Sequence, residues 1–351
     1  MTTRLLDALN RFTSRRVLVV GDLALDEYLV GRATRLSREA PIPVLELARD
    51  FIIPGGAGNP AHNLVALGAH AVPIGVIGRD QNGERLLARF HELGIDTGGI
   101  LADPSRPTTT KTRIMAEGIM PTFPQQVARL DRIQREPLSP LVERDLIERI
   151  EQCAEQADAL LVSDYRSGLV TPNVIDACVR VAKPPRPAQT GPRRLLLTVD
   201  SQGDLLRFAH FDLVRANRQE TEATLGRALA SEADFERACA ELLQRLSARV
   251  VVITRADEGL SIAARDDTGG AKLAAYTHVP AVNRSEVYDV TGAGDTVIAV
   301  LTLALACGVD PLDAAQIAAY AAGIVVKHIG VAVTTIAELR QTIRLSEGDG
   351  A

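Results

Sequence analysis

Val17-Leu18-Val19-Val20-Gly21-Asp22 is a short apolar run that stops abruptly at a polar residue. Four aliphatic side chains in succession, without alternation, read as a strand covered on both faces, as in a parallel sheet. The pattern returns in Leu160-Leu161-Val162, Leu195-Leu196-Leu197-Thr198-Val199, Leu213-Val214 and Val250-Val251-Val252-Ile253. Helical stretches intervene, for example 140–157 and 231–247. The second opens with Ser231 three residues before Asp234, a capping arrangement. Strand alternating with helix predicts an α/β fold with a parallel sheet.

The residues that close these runs are more informative. The five lead into Gly21-Asp22, Ser163-Asp164, Asp200, Asn217 and Thr254, so polar groups gather at the expected carboxyl edge of the sheet. Ligands of open α/β sheets bind at that edge. One such Asp reads equally well as the cap of the next helix; five in series favour a site. Two stretches depart from the pattern: 28–53, with Pro41-Ile42-Pro43-Val44-Leu45-Glu46-Leu47, and 107–131, with Thr108-Thr109-Thr110-Lys111-Thr112-Arg113-Ile114. Both are β-prone, alternating and punctuated by proline, which predicts a small β sheet beside the binding edge, placed as a lid. Residues 1–345 read as one domain with these two lid segments. Lys183 to Arg194 reads as an exposed proline-rich loop, and 346–351 as a frayed tail.

Composition excludes several classes. The chain carries 39 Lys+Arg against 44 Asp+Glu, so it has no basic footprint for nucleic acid and no polybasic signal for a membrane surface. Aromatics at 3% leave little for stacking on bases. The longest apolar run, Thr296 to Val309, is too short to cross a bilayer, and Met1-Thr2-Thr3-Arg4 lacks the apolar segment of a secretory leader. Cysteines 153, 178, 239 and 307 form no CxxC, and the histidines show no zinc-like spacing, so buried reduced thiols are expected. A cytoplasmic protein acting on a small molecule, without nucleic-acid or membrane partners, is the expectation.

The strongest local signal is Asp289-Val290-Thr291-Gly292-Ala293-Gly294-Asp295, running into the apolar stretch Thr296 to Cys307. A Gly-Ala-Gly turn opening a helix exposes backbone N–H groups at the positive end of the dipole, which makes an anion hole. An Asp at its end is placed to take a proton from a hydroxyl attacking a bound phosphate. Alone, the same residues read equally well as a glycine turn with a capping Asp. A second cluster, Pro54-Gly55-Gly56-Ala57-Gly58-Asn59-Pro60-Ala61, precedes a helical stretch to about Leu67 and lets backbone approach a ligand. There is no GxxxxGK[ST], and no GxGxxG follows the first strand.

Together these residues resemble the ribokinase-type carbohydrate kinases, also called the phosphofructokinase B family. The cluster at 55–59 is similar to the family's first signature and 289–295 to its second. Asn217-Arg218-Gln219-Glu220 resembles its NxxE motif, and Thr254 with Gly259 fits its nucleotide loop; the match runs from about Arg16 to Arg340. Within the family the chain resembles the D-glycero-beta-D-manno-heptose 7-phosphate kinases of ADP-heptose synthesis. Gly21-Asp22-Leu23-Ala24-Leu25-Asp26-Glu27-Tyr28, Ser37-Arg38-Glu39-Ala40-Pro41-Ile42-Pro43-Val44, Thr110-Lys111-Thr112-Arg113, Ser163-Asp164-Tyr165 and Val287-Tyr288-Asp289-Val290-Thr291 carry that likeness. Many members of that group continue into a nucleotidyltransferase domain, for which 351 residues leave no room. Three positions depart from the group: Arg166-Ser167 where it has an xK pair, Ser201-Gln202 where it has PK, and Arg215-Ala216 where it has TP.

The resemblance implies a three-layer αβα, Rossmann-like ribokinase fold with a mainly parallel central sheet and a small β lid. It implies transfer of the γ-phosphate of ATP to a hydroxyl of a sugar or sugar phosphate, with Mg²⁺. Asp295 would be the base, and Gly292, Ala293 and Gly294 the anion hole. Asn217 and Glu220 would organise Mg²⁺ and its waters, although Glu220 also reads as a helix N-terminal acid. Thr254 and Gly259 would hold the nucleotide, and Arg215 is expected to reach the phosphates in place of a missing lysine. Asp26, Gly55, Gly56, Asn59 and Asp164 would bind the sugar. Lys111 and Arg113 could hold a substrate phosphate, or be solvated edge charges. K⁺ would bind by Asp289, Thr291, Val325 and Gly330, and a homodimer would form through the lid. Two alternatives stay open: a kinase for another sugar, sugar phosphate or nucleoside, and a catalytically silent sugar or nucleotide sensor. Against the sensor stand Asp295, the anion hole and NxxE, which it would not need together.

Overall fold

The computed structural model describes residues 2–117, 124–183, 195–265, 273–282, 289–328 and 330–348. Along the chain lie α1 (Thr2–Leu9), β1 (Arg16–Gly21), β2 (Leu23–Leu36), β3 (Pro43–Gly56), α2 (Gly58–Ala66), β4 (His70–Gly78), α3 (Gln81–Glu92), β5 (Ile100–Asp103), β6 (Thr110–Glu117) and β7 (Gln125–Arg132). Next come α4 (Pro140–Ala154), β8 (Ala159–Asp164), α5 (Pro172–Ala182), β9 (Leu196–Ser201), β10 (Leu213–Asn217), α6 (Arg218–Leu225), α7 (Glu232–Leu246), β11 (Val250–Thr254), β12 (Leu260–Arg265), β13 (Leu273–Val279), α8 (Ala293–Ala306), α9 (Pro311–Val325) and α10 (Ile336–Gly348).

Nine strands form the main sheet in the order β13-β12-β11-β10-β9-β8-β1-β4-β5. It is parallel from β11 to β5 and antiparallel only where β12 and β13 are added. Helices cover both faces, and alternate residues of one strand feed the two cores. Val17 and Val19 pack with α1, α2, α8 and α9, whereas Leu18 and Val20 pack with α4, α5 and α7. That is why β1 reads as continuously apolar rather than alternating. From Asp295 through Ala304 every residue of α8 is buried, as expected of a helix apolar on all sides.

The strand order reverses at β1. Its neighbours are β8 on one side and β4 on the other, so the crevice beyond Gly21 and Ser163 is the switch point where ligands enter such sheets. Strand β4 was not legible as one because Pro73, Gly75 and Gly78 punctuate it. Pro73 precedes the β5 ladder, which begins at Gly75, so its missing N–H costs that ladder nothing.

A second sheet, β3-β2-β6-β7, stands on this edge and takes its strands from the two stretches expected to form a lid. Asp22 alone separates β1 from β2, so the chain passes directly from one sheet into the other. Its own apolar cluster is small: Tyr28, Val30 and Met115, with Ile53 against them. The proline-rich stretch expected as a loop lies, beyond Lys183, outside the described residues. The tail expected to fray from 346 is instead helical through Gly348, because α10 packs on α1 and α9.

Candidate active site

Gly292 caps the N-terminus of α8 in the left-handed region, φ 80°, where an L side chain is strained. A Cβ there would also come within 2.8 Å of Asn59 Nδ2, and one on Gly294 within 2.7 Å of an Arg215 guanidinium nitrogen. Gly292 is thus favoured by its backbone, and Gly294 leaves room for the Arg215 guanidinium. The N–H groups of Gly294 and Asp295 have no backbone partner among the described residues and open toward the edge. The N–H of Ala293, expected to take part, turns instead to the Val290 carbonyl at 3.2 Å, whereas that of Gly292 also has no backbone partner among the described residues.

Asp295 is 7% exposed and accepts two short hydrogen bonds: from Asn59 Nδ2 to one oxygen and from the Tyr165 hydroxyl to the other, each 2.6 Å. Burial, and then the charge of Asp200, push its carboxyl up to about 7, against the pull of both donors and of Arg215. A carboxyl tuned to that value both holds and releases a proton near neutrality, which suits a general base. Behind it the network continues into the scaffold. Asn63 donates to Asn59 Oδ1 at 3.0 Å, and Thr296 donates to Asn63 Oδ1 at 2.9 Å. Asn59, expected to meet a sugar hydroxyl, is committed on both side-chain groups to Asp295 and Asn63.

Arg215 points from β10 to the same place. It donates to Asp200 at 2.8 Å and to Thr254 Oγ1 at 2.8 Å, while its buried Nε has no partner among the described residues. Burial disfavours its charge, but the neighbouring carboxylates of Asp200, Glu220 and Asp295 outweigh that and raise its value. It therefore touches the anion hole and also pairs with an acid. Asn217 and Glu220 form a capping box: the Glu220 N–H donates to Asn217 Oδ1 at 2.8 Å, and the Asn217 N–H donates to Glu220 Oε2 at 2.7 Å. Burial raises the Glu220 carboxyl. Gly259, at φ 103°, turns the chain after β11 where a Cβ would strike the Val279 carbonyl.

On the lid, Asp26 accepts from Arg113 at 2.6 Å, and Arg113 lies over the Tyr28 ring, 5.2 Å from its centroid. A Cβ on Gly55 would strike the Asp26 carboxylate, and one on Gly56 the Asp22 carbonyl, so the first glycine cluster admits β2 against β3. Lys111 Nζ sits 5.0 Å from the centroid of the Tyr165 ring and has no carboxylate within salt-bridge distance among the described residues. Asp164 is placed differently from the expectation. Its buried carboxylate holds the Arg166 N–H, the Ser201 hydroxyl and Arg207, so it ties loops together rather than facing the crevice.

Two residues to which the sequence reading gave no individual role stand beside the site. Asp22 accepts three backbone N–H groups, from Tyr165, Ser167 and Leu169. Burial pushes it up to about 6, with Asp164 adding to the effect and the backbone donors resisting. Tyr165 was visible only as part of a Ser-Asp-Tyr likeness. At the α8 turn, Asp289 accepts from the Thr291 N–H and the Gly330 N–H, each 2.9 Å, bringing together three of the four residues expected to bind a cation. Burial works against its charge, but these hydrogen bonds outweigh it and hold the carboxyl low. The Val325 carbonyl accepts from the His328 N–H at 3.1 Å.

The donor set fits Mg²⁺ carried on nucleotide phosphates. Among the described residues no three His, Cys, Asp or Glu cluster as a metal cage. Mg²⁺ seldom needs one, because it keeps waters and takes one or two carboxylates plus phosphate oxygens.

The model of the pfkB family carbohydrate kinases matches residues 14–337. The bifunctional protein HldE of Geobacter metallireducens is 41% identical over 333 residues, covering 95% of this chain and 64% of that protein. The protein of the same name from Geobacter sulfurreducens is 39% identical over 334 residues, again 95% and 64%. The chain thus spans less than two thirds of the length of these relatives. Phosphofructokinase-2 from Escherichia coli, solved with substrates and products, superposes with a TM-score of 0.74 at 17% identity, covering 95% of this chain and 99% of that one. Arabidopsis thaliana ribokinase, complexed with ribose and ATP, superposes at 0.68 with 17% identity and the same coverage. At those identities the likeness shows the fold. No described helix is long and apolar enough to cross a membrane.

Proposed function

This chain belongs to the pfkB family of carbohydrate kinases, and from that premise we propose that it transfers the γ-phosphate of ATP to a hydroxyl of a phosphorylated sugar, a heptose 7-phosphate or a close relative. The observation that carries the reading is one buried carboxyl, Asp295, at the mouth of a helix-N-terminal anion hole, with a lid cation above it that no described carboxylate neutralises. Asp295 removes the proton of the attacking hydroxyl. The free N–H groups of Gly294 and Asp295, with Arg215 beside them, stabilise negative charge as it develops on the transferring group. Asn217 and Glu220 would hold Mg²⁺ and its waters; bound there, the ion neutralises phosphate charge. Asp26, fixed by Arg113, presents its carboxylate to sugar hydroxyls, and Lys111 accounts for preference for a phosphorylated sugar. K⁺ would bind at the loop that Asp289 ties to Gly330. A sensor is disfavoured because a base tuned to about 7 has no use in binding alone.

Coupled ADP release tests this with ATP-Mg²⁺ and a panel of free sugars, heptose 7-phosphate, hexose phosphates and nucleosides. Turnover should need a phosphorylated sugar and be highest with the heptose. Preference for a free sugar or a nucleoside by tenfold in kcat/KM would overturn the assignment.

The lid supports a second proposal, a homodimer. Leu36, Leu47, Phe51 and Leu130 are large, apolar and exposed on one small sheet, a concentration that marks an interaction surface. Sedimentation velocity should give a dimer; a monomer at micromolar concentration would exclude it.

A further inference from the structure

The two oxygens of Asp295 are held differently. One is tied to the scaffold through Asn59, Asn63 and Thr296, on helices packed within the main core. The other is tied to Tyr165, on the loop that follows β8 and is clamped by Asp22 through three backbone N–H groups. On the ring of that same tyrosine rests the lid cation Lys111. Among the described residues, Tyr165 is the side chain that touches both the carboxyl and the lid cation.

We propose that Tyr165 is the positioning residue of this site: its hydroxyl orients the Asp295 carboxylate for proton removal, and its ring is the platform that places Lys111. The inference rests on Asp295 being the base. A carboxylate with one oxygen tethered can still swing about that tether; a second donor on the other oxygen fixes its plane. Toward the ionised Asp295 the Tyr165 hydroxyl is the donor, because burial and the adjacent Asp295 hold its proton firmly. Its hydrogen bond also favours the ionised, proton-accepting form. The Lys111 contact is of cation–π type, enough to bias where the ammonium rests but not to lock it. A substrate phosphate could then draw Lys111 from the ring without breaking a salt bridge.

The test compares Tyr165→Phe, Tyr165→Leu, Lys111→Ala and Asp295→Asn. The groups around Asp295 that titrate or carry charge are Asp200 on β9, Arg215 on β10, Glu220 on α6, Tyr165 after β8 and Lys111 on β6; the Phe variant changes one of them and keeps the ring. Tyr165→Phe should lower kcat about tenfold and leave the KM for ATP within about twofold. Its acid limb of kcat/KM should move up by about one pH unit, since the lost donor had favoured the carboxylate. Carboxyl ¹³C titration of Asp295 without nucleotide, its signal identified by its absence in Asp295→Asn, should move the same way. Tyr165→Leu should add a severalfold rise in KM for the phosphorylated sugar, matching Lys111→Ala. A merely structural role would lower kcat at all pH values alike and leave the titration in place, which overturns the proposal. If Asp295→Asn is inactive while Tyr165→Phe behaves as wild type, only the positioning role fails. An active Asp295→Asn instead removes the base assignment beneath it.

Discussion

The carboxyl edge of the main sheet and the outer part of the lid sheet, beyond the buried Asp26–Arg113 pair, use polar residues in opposite ways. At the edge Asp22, Asp295 and Asn59 are each at most 7% exposed, and their side-chain groups are answered by hydrogen-bond partners. On the lid, β7 is exposed along its whole length, the apolar cluster holds few residues, and Lys111 rests on a ring rather than in a salt bridge. A buried group left unpaired costs about 1–3 kcal/mol, so the edge tolerates one arrangement only. Exposed groups carry no such penalty, and segments with few buried contacts open most readily. Chemistry that needs fixed geometry is built on strand ends and helix termini. In the proposed reading, the substrate's phosphate is met by the sheet with fewer buried contacts.

Substitutions that separate the two regions should fall in order of size. Asp295→Asn should lower kcat by about two orders of magnitude or more while nucleotide affinity, measured by calorimetry, persists. The same variant tests the raised carboxyl. A carboxyl whose folded value stands above its unfolded one stabilises the protein below the unfolded value and loses that contribution as pH rises through the folded one. Between pH 4 and pH 8 the Tm of Asp295→Asn should therefore gain steadily on that of wild type; a constant difference would show that Asp295 is not raised.

Next is Arg215→Ala, expected to cut kcat about tenfold to a hundredfold. It should also cost about 3–5 kcal/mol of stability, because the buried pair with Asp200 leaves a carboxylate without its partner. Urea unfolding measures it, and a loss below about 1 kcal/mol would place Arg215 in solvent. On the lid, Lys111→Ala should raise KM for the phosphorylated sugar severalfold with kcat and KM for ATP little changed. Equal effects on both substrates would make it an edge charge. Smallest is Leu130→Asp, which should shift sedimentation toward a monomer and leave kcat within about twofold.

Much of this architecture was legible in short segments. Val17 to Val20 announced a doubly covered strand, and the Gly-Ala-Gly turn before Thr296 announced a helix N-terminus open to an anion, because both signals depend only on neighbours in the chain. Strand β4 was hidden by Pro73 and its glycines, whose local meaning is a turn; pairing with β1 overrides it. The lid sheet was legible from alternation, but not its register, which sets Asp26 opposite Lys111 and Tyr28 opposite Arg113. Asp164 showed the limit of reading strand ends: its position was right for a site, and its carboxylate turned to hold loops instead.

By itself the sequence determined the continuously apolar strands, the glycine turns and the presence of Asp295 at the start of α8, since these depend on residue type and near neighbours. Tertiary structure alone decided what Asp295 is. Its two donors lie 236 and 130 residues away, on a helix and a loop that meet it only because β8 lies beside β1 and α2 packs on α8. A proton affinity depends on burial and on charges within a few ångströms, and no local pattern records which distant strand end will supply them.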